Sequence, residues 1–189
     1  RIGLYGGTFN PVHAGHLLVA QAAQEELELD RIFFVPTARS PFKPDLEPAP
    51  DACRLRWLRL ALAGRSQWEV DAQEISRGGI SYTIDTVRDY RRRFPAAELF
   101  YLIGADHLTQ LPQWREAAEL AQLAQFVVIP RPGQAPAALP APFRGKRLKG
   151  FPMAVSSSEV RARVKGGLSI DLLTPYGVAA DIRNNGLYL

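Results

Sequence analysis

Cysteine is almost missing from this chain: Cys53 stands alone among 189 residues. A single thiol excludes a disulfide framework within the chain and any zinc site built on cysteines. No apolar run approaches the ~18–20 residues of a membrane-spanning helix, so no membrane association is expected. There is no basic-then-apolar leader, which makes the cytoplasm the expected compartment. The chain starts at Arg1 rather than at methionine, so its numbering is expected to begin one or more residues into the natural protein. An excess of one charge is also missing, since 23 Lys and Arg against 19 Asp and Glu leave only +4. That is a mild bias toward an anionic ligand. The nearest thing to a basic run is Arg144, Lys146, Arg147 and Lys149. It lacks the interleaved aromatics of a single-strand binder and reads as a solvated loop. Nucleic acid is therefore not an expected partner, and a small phosphorylated ligand suits the charge better.

What is present is a composition near the globular average, 47% hydrophobic and 22% charged. It excludes a disordered tail, a collagen-like repeat and a coiled coil. Residues 1–189 read as one domain without repeats. Short apolar runs at 2–5, 32–35, 99–103, 126–129 and 151–155, with an alternating stretch at 68–75, read as strands. Helical patterns fall between them, at 14–29, from Asp51 through Leu55, Leu58 and Leu62, at 83–93, around Leu108 and Leu111, at 115–123, at 156–165 and at 175–185. The proline-rich stretch 36–50 and the Pro, Ala and Gly stretch 130–142 read as loops. This alternation predicts an α/β, Rossmann-like open parallel sheet with helices on both faces, whose ligand lies beyond the carboxyl ends of the strands.

The loop after the first strand reads Gly6-Gly7-Thr8-Phe9-Asn10-Pro11-Val12-His13-Ala14-Gly15-His16 and opens a helix. Two glycines at a strand end let the backbone approach a phosphate closely. The helix N-terminus beyond adds partial positive charge. His13 and His16 are three residues apart and can share one side of the first turn. They could donate to phosphate oxygens or form part of a metal site, for which the only other histidine, His107, lies far along the chain. The spacing is neither GxGxxG nor GxxxxGK[ST], so neither a dinucleotide fingerprint nor a P-loop is supported.

The same loop resembles the GGTFDPxHxGH element of adenylyltransferases with an HxGH motif. Further segments resemble the bacterial nicotinate mononucleotide adenylyltransferases: Ser81-Tyr82-Thr83-Ile84-Asp85-Thr86, Gly104-Ala105-Asp106 followed by Leu111, Trp114 and Glu119-Leu120, Arg131-Pro132-Gly133, and Val155-Ser156-Ser157-Ser158-Glu159-Val160-Arg161. Each piece is short, but they occur in the right order over nearly the whole chain. The resemblance implies a reaction in which ATP and nicotinate mononucleotide give nicotinate adenine dinucleotide and pyrophosphate. Mg²⁺ would accompany ATP, with no protein metal site.

Roles follow from the resemblance, residue by residue. Gly7, Thr8 and Phe9 would present backbone amides to phosphates. His13 and His16 would contact the ATP phosphates, with His16 at the α-phosphate. Ser157, Ser158 and Arg161 would hold the triphosphate, and Gly104 and Asp106 would complete the ATP site at a strand end. On the acceptor side, Trp114 would stack on the pyridine ring. Thr83 and the backbone amide of Arg115 would meet the carboxylate, and Lys43 would reach a phosphate. Read without the resemblance, Trp114 is a core tryptophan, Asp106 is a helix cap, Ser157 is a cap that could still serve a phosphate, and Lys43 is a solvated cation, whereas Arg161, unfavourable for the dipole in a first helical turn, points to a nearby anion or else is solvated. Four positions depart from the family pattern: Asn10 for Asp, Phe42 where a PPHK element has His, Ser158 for Thr, and Arg115 for a common aromatic.

Two rivals share the fold. Phosphopantetheine adenylyltransferases resemble GxFDPxTxGH, with Thr where this chain has His13, and lack the Trp114 segment. A non-catalytic nucleotide sensor is opposed by intact His13, His16 and Arg161. Homo-oligomerisation stays open.

Overall fold

The computed structural model describes residues 1–42, 47–130, 133, 137–151 and 153–189. Six strands form one sheet: β1 (Ile2–Gly7), β2 (Arg31–Pro36), β3 (Trp68–Val70), β4 (Leu99–Gly104), β5 (Gln125–Ile129) and β6 (Gly145–Arg147). Their order is β3-β2-β1-β4-β5-β6, and every pairing is parallel. Successive side chains on a strand point to opposite faces. In β2, Ile32 and Phe34 join one core while Phe33 and Val35 join the other, and in β4 Phe100 and Leu102 oppose Leu99, Tyr101 and Ile103 in the same way. Continuous apolar runs are what a parallel sheet covered on both faces requires.

The covering helices are α1 (Ala14–Leu27), α2 (Asp51–Leu62), α3 (Gln73–Arg77), α4 (Thr83–Arg93), α5 (Ala117–Leu123), α6 (Ser157–Lys165) and α7 (Tyr176–Asn184), with a 3₁₀ helix at Ala105–Gln113. One core takes residues of α1, α2, α6 and α7, and the other takes those of α4, α5 and the 3₁₀ helix. The chain winds outward from β1 through β2 to β3, then crosses back to β4 and winds the other way. The crevice at this reversal, beyond the ends of β1 and β4, is where open α/β sheets bind ligands. No helix among the described residues is long and apolar enough to cross a membrane.

Several local expectations change. Residues 151 and 153–155 form no strand, and the sixth strand is instead the basic triplet Gly145–Arg147. An edge strand pairs on one side only, so it tolerates Lys and Arg. Phe143 and Leu148 on either side of it are buried. The apolar run at Phe151 and Met153 is half exposed and lines a cavity rather than filling a core. The alternation after β3 gives way to the short helix α3. The stretch with Leu108 and Leu111 is 3₁₀, with Pro112 inside it, and both leucines are buried. In α2 the buried face runs through Arg54, Trp57, Leu58, Ala61 and Leu62, so Leu55 lies beside the stripe rather than on it. Lys43 and the pair Arg131-Pro132 lie outside the described residues.

Helix α7 is tied to α2 by Asp181. Its carboxylate accepts from Arg56 Nε and Nη2 at 2.9 and 2.8 Å and from the Trp57 indole N–H at 2.7 Å. The Arg56 hydrogen bonds hold the Asp181 carboxyl below its usual range, against burial that acts the other way. A carboxyl whose folded pKa is depressed stabilises above its unfolded value and loses that stabilisation as pH falls through the folded value. Asp181→Ala should therefore cost about 2 kcal/mol in urea unfolding at neutral pH. The gap between wild type and variant should close below about pH 4. A cost that is the same at pH 3 and pH 7 would contradict this role.

Candidate functional site

β1 ends in Gly6 and Gly7, and the chain turns at Phe9. Phe9 takes a left-handed conformation, φ +47°, that is strained for a residue with a side chain. Its ring explains why: it is buried and packs 5.6 Å from Tyr5 and 5.8 Å from Phe34. Anchoring that ring turns the backbone of the loop toward the crevice. A Cβ on Gly7 would stand 3.1 Å from the Phe9 ring, and one on Gly6 only 2.5 Å from the Tyr101 hydroxyl.

His13 caps α1 in an extended conformation, and its backbone N–H donates to His16 Nδ1 at 3.2 Å. A neutral imidazole that accepts at Nδ1 carries its proton at Nε2, so His16 is fixed as an Nε2–H donor. The two imidazoles lie 3.7 Å apart, tilted by 32°. Gly15 leaves room beside the His13 ring, which a Cβ there would approach to 3.1 Å. The helix N-terminus offers less than its position suggests. Ala14 N–H donates to Leu173 O at 2.8 Å and His16 N–H to His13 O at 2.9 Å. The phosphate-facing donors at this end are therefore chiefly side chains.

Helix α6 brings the second group. Ser156 is its cap, accepting from Glu159 N–H at 3.1 Å. Ser157, which sequence alone also allowed as a cap, instead donates its hydroxyl to Pro11 O at 2.9 Å. Arg161 donates to Asn10 O at 2.8 Å and to Ser158 Oγ at 3.1 Å. The Asn10 departure has a local reason. Its side chain is buried, and Oδ1 accepts from Ala49 N–H at 3.1 Å and from the Tyr188 hydroxyl. Both partners are donors, so an amide oxygen serves without a buried negative charge.

Arg54 was not foreseen as part of the site. It is 0% exposed, and its guanidinium donates to Thr8 O at 2.9 Å and to Ala49 O at 3.2 Å and pairs with Asp51. It fastens the loop from beneath. The signal was available in its place on the same helix face as Trp57, Leu58 and Ala61.

The other half of the crevice is aromatic. Trp114 follows the 3₁₀ helix and stands edge-on to Tyr101, centroids 6.2 Å apart. Phe42 faces it at 5.7 Å and 32°, with His107 5.9 Å from Phe42. Phe42 therefore builds a wall with Trp114 where the family pattern has histidine, and His107 is brought in from a distant segment. Trp114 Nε1 is buried with no hydrogen-bond partner among the described residues. Thr83 is the first residue of α4, its Oγ1 3.2 Å from Tyr101 Oη. The Arg115 side chain turns away, 4.8 Å over the Tyr82 ring and 3.8 Å from Asp85, which leaves only its backbone for the crevice. Asp106 follows Gly104 without capping the 3₁₀ helix.

These groups line one cavity of about 660 Å³. Gly7, Thr8, Phe9, His13 and His16 are on its wall, as are Ser157, Ser158 and Arg161. Gly104 and Asp106, and Thr83, Trp114 and Arg115, complete it. Among the described lining residues Asp106 is the one carboxylate, against the Arg161 guanidinium and all three histidines of the chain. That balance suits a polyphosphate. No group of three or more His, Cys, Asp or Glu among the described residues could hold a metal ion.

The sheet order, the cavity at its reversal and a histidine pair beside Arg161 define a nucleotidyltransferase. Comparison agrees: the cytidylyltransferase-like family model matches residues 4–163. A protein of Opitutus terrae named "Probable nicotinate-nucleotide adenylyltransferase" is 44% identical over 192 residues, covering 100% of this chain and 97% of that protein. One of Thermus thermophilus with the same name is 41% identical over 193 residues, covering 100% of this chain and 99% of its own. The chain belongs to the nicotinate-nucleotide adenylyltransferases within this cytidylyltransferase-like family. Its fold matches the Plasmodium falciparum nicotinic acid mononucleotide adenylyltransferase solved with NaAD, TM-score 0.82 at 19% identity over 99% of this chain and 96% of that one.

Arg54→Met should remove the donor from two buried carbonyls and destabilise the protein by roughly 2–4 kcal/mol. Denaturant unfolding checks this, and a change below about 0.5 kcal/mol, the level of an ordinary surface substitution, would show that the loop does not depend on this guanidinium.

Proposed function

We propose that this chain joins ATP and nicotinate mononucleotide into nicotinate adenine dinucleotide, releasing pyrophosphate. The observation that carries the reading is the convergence on one cavity of a phosphate half, with His13, His16 and Arg161, and an aromatic half, with Thr83 and Trp114. An oxygen of the acceptor phosphate attacks the α-phosphorus in line, and the bond to the β-phosphate bridging oxygen breaks. A phosphate monoester has its second pKa near ~6, so the nucleophile is already mostly dianionic at neutral pH. The reaction then needs neither a general base nor a covalent enzyme intermediate. Positioning and stabilisation of charge on the transferring group supply the rate.

His16 Nε2–H donates to an α-phosphate oxygen. His13, Arg161, Ser157 and Ser158 receive the remaining phosphates, with the backbone of Gly7, Thr8 and Phe9 beneath them. Gly104 and Asp106 take the adenosine end. Mg²⁺ would enter on the triphosphate as part of the substrate, its charge offset by the phosphates. Trp114 stacks on the pyridine ring, and Thr83 and the Arg115 amide meet its carboxylate. The cytoplasm is the compartment we assign, since ATP is held there.

His16→Ala should lower the rate of pyrophosphate release by roughly a hundredfold or more, as loss of a preorganised donor does. Near-normal turnover would exclude this role. Trp114→Ala should raise KM for the mononucleotide acceptor and leave KM for ATP unchanged. Equal rises in both would mark Trp114 as a core residue only.

A further inference from the structure

We propose that Tyr188 is a positioning residue that aims Arg161 at the ATP phosphates by holding Asn10 from behind. The inference rests on the phosphate half of the reading given above and names a residue that acts on it from outside the cavity, since Tyr188 is not among the lining residues. Tyr188 follows α7 and takes a left-handed conformation, φ +68°, that is strained for a residue with a side chain. Such strain persists only where surrounding contacts over-determine it. The Tyr188 ring lies 6.0 Å from that of Trp57, and Leu187 and Tyr188 both pack against the core of α1, α2, α6 and α7. Leu187 N–H donates to Ile182 O at 3.1 Å. The phenol ends on Asn10, donating to Oδ1.

Asn10 passes that contact on to the cavity. It is 3% exposed, and its Oδ1 also accepts from Ala49 N–H at 3.1 Å. Its own carbonyl accepts from Arg161 Nη1 at 2.8 Å, while Arg161 Nη2 donates to Ser158 Oγ at 3.1 Å. A guanidinium carries its five N–H groups in one rigid plane. Two bonds on different nitrogens fix that plane and leave three N–H groups for a ligand. Where those three point depends on where the Asn10 carbonyl stands. Side chain and carbonyl share one Cα, so clamping the first limits the swing of the second.

The clamp has two jaws, the Ala49 amide just ahead of α2 and the Tyr188 phenol beyond α7. Burial pushes the phenol up, although Arg161 and Arg54 nearby pull the other way, so it remains a donor at neutral pH. A tyrosine that served stability alone would leave the folded enzyme's handling of its two substrates unchanged. One that acts through Arg161 affects ATP and spares the mononucleotide acceptor.

Tyr188→Phe keeps the ring and removes the hydroxyl. In the folded variant kcat/KM for ATP should fall about fivefold, the scale of one neutral hydrogen bond. KM for nicotinate mononucleotide should not change. ATP affinity, measured by titration calorimetry without any acceptor, should weaken by a similar factor, which keeps the test independent of the acceptor. In an Arg161→Ala background the same substitution should not weaken ATP binding further, since the two residues act as one unit. A lower urea midpoint with unchanged ATP affinity and kinetics, equal rises in both KM values, or a full effect in the Arg161→Ala background would overturn the role of Tyr188. A wild-type protein that binds no ATP would instead overturn the phosphate reading on which the inference stands.

Discussion

A backbone carbonyl that leaves the sheet ladder has to find a donor, and the loop between β1 and α1 has three carbonyls taken by side chains of other helices. Thr8 O is taken by Arg54 from α2, and Asn10 O by Arg161 from α6. Ser157 takes the next one, Pro11 O. Two helices far apart in sequence thus fix one loop, and the loop fixes the histidine pair. The Asn10 side chain extends the same lock to residue 49 and to Tyr188 near the C-terminus. Within that corner the His13 backbone N–H holds the His16 ring. Preorganisation of that kind is what lets a hydrogen-bond donor lower a barrier rather than merely bind.

The cavity divides its work by chemistry. One side holds cations, imidazoles and hydroxyls, the other aromatic rings and a threonine hydroxyl. The division follows the strand order. The loop after β1 and the segment after β4 are neighbours because β1 pairs directly with β4. α6 returns over the same crevice from the far end of the chain. A triphosphate and an aromatic acceptor can therefore lie side by side, with no nucleophile or proton relay demanded of the protein. The phenol of Tyr101 sits where the two halves join, touching the Gly6 turn on one side and Thr83 on the other.

Much of this was legible in residue order. The strands that are buried on both faces read as continuous apolar runs, and the glycine and histidine spacing after β1 marked the crevice. The elements that misled did so because burial is a tertiary property. Phe151 and Met153 look like a strand, yet they form the wall of a cavity. Lys146 and Arg147 look like a solvated loop, yet an edge position lets them form β6. Arg54 was hidden because a charge on a helix is ordinarily solvated. Here backbone carbonyls and Asp51 surround it. His107 was set aside for its distance along the chain, and only the 3₁₀ turn after β4 brings it to Phe42 and Trp114. The expected contribution of the α1 N-terminus shrank because Leu173 O already occupies the first amide.

The central claim is that a phosphate half and a pyridine half of one cavity serve a single transfer. The most direct test is pyrophosphate release from ATP with Mg²⁺, measured in parallel with nicotinate mononucleotide, nicotinamide mononucleotide and phosphopantetheine. The account predicts turnover with strong preference for the nicotinate acceptor. Turnover only with phosphopantetheine, or none with any acceptor in protein that still binds ATP, would contradict it.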